Sequence, residues 1–162
     1  MQRTAERYHD FSYGHRVYGH ENKCRYIHGH NGRVKFVVAG DLDDVGRVLD
    51  FSEIGRRLCN WLEKNWDHRF IIYEDDPWAR PLTLIDNTVV WLDRNPTAEN
   101  LAQYLVEIVG PQQLQGTGVT LVRCEFSETL KCNGTYSLDN WNTLDMSVPQ
   151  LKNLHPQEKL FK

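Results

Sequence analysis

Two segments near the start of the chain alternate between apolar and polar positions with a period of two, the mark of a half-buried β-strand. In the first, His9, Phe11, Tyr13 and His15 alternate with Tyr8, Asp10, Ser12 and Gly14. In the second, His28, His30, Gly32, Val34, Phe36 and Val38 share one side, and Ile27, Gly29, Asn31, Arg33, Lys35 and Val37 the more polar other side. Gly40 to Gly46 then reads as an acidic turn, and Asp50 with Glu53 has the spacing of a capping box. Ile54, Leu58, Trp61 and Leu62 make the apolar stripe of a first helix. A second helix is predicted to open at Asn95-Pro96, with proline at its first position, Leu101, Tyr104, Leu105 and Ile108 facing inward, and Gly110-Pro111 stopping it. Between the helices, Tyr73 to Asp93 is acidic, carries Pro77, Pro81 and two tryptophans, and reads as an elaborated loop with a short strand at Val89 to Leu92. Alternation returns from Val119 to Glu128, with Val122, Cys124, Phe126 and Glu128 on one face. After a turn at Asn133-Gly134 comes a short strand from Thr135 to Leu138.

The order is two strands, two helices, two strands (ββααββ). An antiparallel sheet with both helices on one face satisfies it, giving an α+β domain. A chain of 162 residues is the size of one domain with its own core. Residues 1–140 account for that domain, leaving Trp141 to Lys162 as a polar tail without regular period. The net charge of −3 and the lack of any Lys/Arg block exclude nucleic acid or an acidic membrane as the main partner. No run of about 18 apolar residues is present, and Met1 to Asp10 is too polar for a signal peptide, so a cytoplasmic protein is expected. Its four cysteines are then expected as thiols.

The chemistry gathers where the first two strands meet. Two histidines one residue apart, His28 and His30, project from the same side of a strand and can share one ion. If the first strand pairs with the second, His15 completes three imidazoles, the ligand pattern of a catalytic zinc with one coordination position open. Cys24 precedes His28 by four residues and is a candidate fourth ligand or, flanked by Lys23 and Arg25, a thiolate base. A structural zinc finger fits poorly, because Cys59, Cys124 and Cys132 form no second closely spaced pair. Glu128 ends an apolar row, and a carboxylate there can accept two parallel N–H bonds from a guanine-like or pterin-like ring. Asp67-His68 places a histidine beside a carboxylate, although neighbours on an extended segment face opposite ways and their direct pairing is not assured.

These motifs together resemble the 6-pyruvoyl-tetrahydropterin synthase family, and more closely its 6-carboxy-5,6,7,8-tetrahydropterin synthase branch of queuosine biosynthesis. The resemblance spans about Phe11 to Tyr136. It is carried by Phe-Ser-x-x-His ending at His15, Cys24-x-x-x-His28-Gly-His30-Asn31, Asp50-Phe51, Asp67-His68, Asn95-Pro96-Thr97-x-Glu99-Asn100-Leu101 and Glu128-Thr129. It implies a tunnelling fold (T-fold) whose subunits associate into tetramers or hexamers with active sites at subunit boundaries. It also implies Zn2+ on His15, His28 and His30, Cys24 as catalytic base, Asp67 and His68 as a proton relay, Glu128 as the pterin anchor, and Thr129 and Thr97 as further substrate contacts. The implied reaction turns 7,8-dihydroneopterin triphosphate into 6-carboxy-5,6,7,8-tetrahydropterin with release of acetaldehyde and triphosphate, without nicotinamide or flavin. The short spacing from Cys24 to His28 points to the carboxy branch, and the pyruvoyl branch, which eliminates triphosphate without cleaving the side chain, is the alternative. A zinc hydrolase on the same fold and a non-catalytic zinc-stabilised binding module are more distant readings. Two departures stand out: Gly32 replaces the family's usual aromatic, which predicts a roomier pocket beside His30, and residues 73–93 are longer than in compact members.

Overall fold

The computed structural model describes residues 3–138, so the tail from Trp141 lies outside the described residues. Strands β1 (Arg3–His15) and β2 (His28–Gly40) pair antiparallel along their whole length, from Arg3 opposite Gly40 to His15 opposite His28. Helix α1 runs through Phe51–Ile54, a π turn at Gly55–Cys59, and Asn60–Asn65. Next come β3 (Arg69–Tyr73), the short helix α2 (Ala79–Ile85) and β4 (Val90–Leu92). Helix α3 runs through Ala98–Tyr104, a π turn at Leu105–Val109, and Gly110–Gln113. Strands β5 (Thr120–Ser127) and β6 (Asn133–Ser137) close the described chain. One six-stranded sheet results, in the order β4-β3-β1-β2-β5-β6. The α+β class and the antiparallel pairing of β1, β2, β5 and β6 match the expectation.

The core lies between the sheet and the two long helices. Phe11, Tyr13, Val34, Phe36, Val38, Cys124 and Phe126 face Ile54, Leu58, Leu62, Leu101 and Leu105. This alternation fixes the site, because slipping β1 by one residue would turn the Tyr13 and His15 side out of the core.

Several local expectations are corrected. The sheet is mixed: β3 runs parallel to β1 and β4 parallel to β3. Residues 73–93 hold the expected short strand, as β4, and also a helix, α2, where only loop was expected. Arg16, the residue after His15, anchors this extension through a buried ion pair to Asp76 at 2.8 Å, its guanidinium lying 3.8 Å from the Trp78 ring centre. Asp50 does cap α1, accepting from the Ser52 amide at 2.8 Å, but Glu53 pairs with Arg56 and Arg57 instead of closing a capping box.

Helix α3 starts two residues later than predicted, with Thr97 as its N-cap, and continues through Gly110-Pro111. The π turn makes this continuation feasible. The Gly110 amide reaches back five residues to Leu105, and the wider turn relieves the clash of a proline ring with the preceding carbonyls. It also spends one extra residue, so Val109 takes the buried place predicted for Ile108. A register shift opposite Val37 and Val38 acts likewise in β5, where Leu121 joins the main core and Val122 packs with Val37 and Ala39. Val122 thus does not share a face with Cys124. Finally, Asn133 and Gly134 begin β6 rather than forming its turn. A Cβ at Gly134 would stand 2.5 Å from the Glu99 amide nitrogen, so glycine there lets β6 lie against the start of α3.

Candidate active site

The cross-strand register sets His15 directly opposite His28 and Tyr13 opposite His30. The imidazole centres lie 4.5 Å (His15–His28), 5.0 Å (His28–His30) and 5.1 Å (His15–His30) apart. One ring nitrogen from each falls within 4.8 Å of the others. Main-chain carbonyls orient two of the rings: His15 Nδ1 donates to Pro96 O at 2.8 Å and His28 Nδ1 to Tyr26 O at 2.7 Å. Each donated proton leaves Nε2 as a lone pair, the state a metal ligand needs. His15 Nε2 and His30 Nε2 are buried without a hydrogen-bond partner among the described residues. Paired orphans of this kind are what a cation would satisfy, so the donor set fits a metal.

The electrostatics disfavour the charged forms of His15 and His30. Burial, supported by the charges of His28 and His30 and opposed by the bond to Pro96, pushes His15 down to about 4. Burial and then His28 lower His30 as well. Glu128, in the turn after β5, aims its carboxylate at the cluster, 3.8 Å from His15 Nε2 and 3.9 Å from His30 Nε2. Those separations are too long for hydrogen bonds, which leaves the oxygens available to a ligand. Burial raises the Glu128 pKa, the His28 charge opposes that, and Glu99 adds to it.

The remaining candidates are distributed around this cluster. Cys24 sits in a 3-10 turn, Lys23–Arg25, on the connection between the two histidine-bearing strands, and its carbonyl accepts from the Val17 amide at 2.8 Å. It is half-buried and is not a member of the imidazole cluster, so the fourth-ligand reading finds no support in its position. Asp67 and His68 do pair, His68 Nδ1 lying 2.6 Å from Asp67 Oδ2. A left-handed backbone at His68 (φ 55°) allows this pairing between neighbours. Asp67 is pinned in turn by the Ser12 amide at 3.0 Å. Burial alone would raise its pKa, but the Ser12 and His68 hydrogen bonds outweigh that and hold Asp67 low. His68 is 79% exposed and lines an open cleft of about 330 Å3 with Ser12, Tyr13, Gly14, Arg69, Phe70 and Asp86. The three clustered imidazoles do not line that cleft.

Thr97 Oγ1 accepts from the Asn100 amide as a helix cap, and the Thr129 hydroxyl accepts from the Lys131 and Cys132 amides in the turn after Glu128. Both are thus engaged locally. The expected roominess at Gly32 is also corrected: a Cβ there would stand 2.9 Å from Tyr13 Cε1, so the Tyr13 ring fills the space. The carbonyl of Pro96 was missed from sequence, since a main-chain acceptor carries no residue signature. Tyr13 was read only as a strand position, although it lies among the imidazoles, 5.1 Å from His15 and 5.8 Å from His30 between ring centres.

A pleated sheet backed by two helices, with three imidazoles and a carboxylate converging at one end of its central strands, defines a protein of the T-fold type with a candidate three-histidine metal site. The sequence pattern of 6-pyruvoyl tetrahydropterin synthase matches residues 4–139, and the chain belongs to that family of pterin-synthesising enzymes. It is 31% identical over 126 residues to the 6-carboxy-5,6,7,8-tetrahydropterin synthase of Rickettsia felis, covering 76% of this chain and 91% of that protein. Among solved structures, an uncharacterized protein from Wolinella succinogenes superposes with a TM-score of 0.73 at 25% identity, covering 85% of this chain and 98% of its own. The Caenorhabditis elegans 6-pyruvoyl tetrahydropterin synthase superposes with a TM-score of 0.63 at 24% identity over 85% and 96% of the two chains, a likeness of fold. No helix among the described residues is long and apolar enough to cross a membrane.

Proposed function

We propose that this protein is a zinc-dependent 6-carboxy-5,6,7,8-tetrahydropterin synthase that acts on 7,8-dihydroneopterin triphosphate and releases acetaldehyde and triphosphate. The observation that carries the reading is the convergence of His15, His28 and His30, two of them oriented by main-chain carbonyls, in front of the Glu128 carboxylate. The Rickettsia relatives, named for the carboxy reaction, support that branch. Three neutral nitrogens suit zinc.

In this reading His15, His28 and His30 hold the ion, which supplies Lewis acidity toward the substrate's side-chain hydroxyls when bound. Glu128 accepts the paired N–H groups of the pterin edge and thereby sets the ring's orientation. Cys24, carried on the loop that joins both ligand strands, removes a side-chain proton as general base. Asp67 fixes the His68 ring through its Nδ1, leaving Nε2 to carry a proton. Because His68 opens onto a different cleft from the imidazoles, the relay is completed by a second copy of the chain, with the site at a subunit boundary and the lone subunit inactive. Thr97 and Thr129 contribute by shaping the backbone at Glu99 and Glu128.

Incubating the purified protein with zinc and 7,8-dihydroneopterin triphosphate tests this. Acetaldehyde and triphosphate in equal amounts are expected. Triphosphate without acetaldehyde would assign the pyruvoyl reaction instead, and neither product would overturn the synthase reading.

A further inference from the structure

Tyr13 is 4% exposed, yet its hydroxyl has no hydrogen-bond partner among the described residues. A buried phenol ordinarily finds one. The ring is held on every side: it stacks on Phe11 at 5.3 Å, meets Phe126 edge-on at 5.5 Å, and lies beside His15 and His30. With Cε1 only 2.9 Å from where a side chain at position 32 would begin, it occupies the place an aromatic there would need. Three orphaned polar atoms thus belong to three neighbouring rings: His15 Nε2, His30 Nε2 and Tyr13 Oη, the Tyr13 ring centre lying 5.1 Å from His15 and 5.8 Å from His30. A metal ion answers the first two, which are lone pairs. The third is a neutral O–H donor, and a metal does not answer it.

The polar groups around it cannot serve as its lasting partner. His15 and His28 spend their Nδ1 protons on carbonyls and keep Nε2 for the ion, and the Glu128 carboxylate stands 3.8 and 3.9 Å from His15 and His30 Nε2, beyond hydrogen-bond reach of either. A ligand that brings two N–H donors to Glu128 carries, on a 2-amino-4-oxo ring, a carbonyl oxygen directly beside the ring N–H. That oxygen needs a donor.

We infer that the Tyr13 hydroxyl donates a hydrogen bond to the ring carbonyl of a bound 2-amino-4-oxo heterocycle, making Tyr13 a specificity-determining residue of the site. The inference rests on the pterin reading given above. It pairs one donor and one acceptor side chain, Tyr13 and Glu128, with complementary atoms on a single ring edge. Rings bearing an amino group in place of that carbonyl would be left facing the phenol without an acceptor.

Zinc-loaded wild type and Tyr13→Phe are titrated with pterin and with 2,4-diaminopteridine by ligand fluorescence, with zinc content and thermal midpoint measured alongside. The expected result for Tyr13→Phe is pterin affinity about tenfold weaker, with diaminopteridine affinity, zinc content and thermal midpoint all undiminished. Equal pterin affinity in the two proteins, or an equal loss for both ligands, overturns the inference and makes Tyr13 a packing residue. Loss of zinc would make the phenol a metal ligand and overturn it too. If wild type itself binds no pterin, the functional reading fails and this inference with it; a wild type that binds pterin separates the two failures.

Discussion

Acidifying the metal-free protein should destabilise it through His15 specifically. That ring is 1% exposed, and its environment lowers it from 6.5 to about 4. The unfolded chain therefore takes up a proton near pH 6.5 that the folded chain refuses until near pH 4. Stability is fully present above pH 6.5, falls as pH drops through the window between the two values, and is flat in this respect below it. At about 1.4 kcal/mol per unit, the shift amounts to about 3 kcal/mol by pH 4. His30, lowered by the same burial, contributes in the same direction. Urea unfolding of chelator-treated wild type at pH 7 and pH 4, beside a His15→Gln variant that cannot titrate, isolates the effect. Wild type should lose about 3 kcal/mol more than the variant over this interval. Equal losses would mean that His15 is hydrated or charged in the folded chain, and the neutral, preloaded ligand would have to be abandoned.

Metal analysis should find that His28→Ala no longer holds stoichiometric zinc, whereas Glu128→Ala keeps its zinc and binds pterin about 100-fold more weakly, the loss of two charge-assisted hydrogen bonds; zinc retained in His28→Ala would refute the ligand set. Gly32→Ala should cost about 1–3 kcal/mol through its clash with the Tyr13 ring, and denaturant titration should show that penalty vanish in a Tyr13→Ala background. Cys24→Ala and His68→Ala should each be inactive alone, but mixed before reassembly they should recover about a quarter of wild-type turnover if each site draws its base and relay from different subunits. No recovery would confine the chemistry to one subunit.

The strand ladder and the histidine cluster were legible from the sequence because both depend on a period of two. Once β1 and β2 pair, alternation alone puts His15, His28 and His30 on one side. Features that break a period were not. The π turn at Leu105–Val109 inserts a residue, so a helix-period rule misplaced Ile108, and the same wider turn carries the helix through Gly110-Pro111, which its residue types mark as a stop. Strand β3 went unassigned because Ile71 and Ile72 are both fully buried, and a strand covered on both faces shows no alternation. The Asp67–His68 contact depends on one positive φ, which no side-chain pattern announces for a histidine. Thr97 as a helix cap illustrates the remaining ambiguity, since the same hydroxyl serves a helix start or a substrate equally well on paper.

The two acceptors that orient His15 and His28 belong to the main chain at Pro96 and Tyr26. Every amino acid carries a carbonyl, so exchanging the side chain at 26 leaves the acceptor in place, and damage there would come from moving the peptide plane. A deep mutational scan should accordingly score these positions as permissive to chemistry and intolerant of deletion or insertion, the opposite of the profile expected for the histidines they steer.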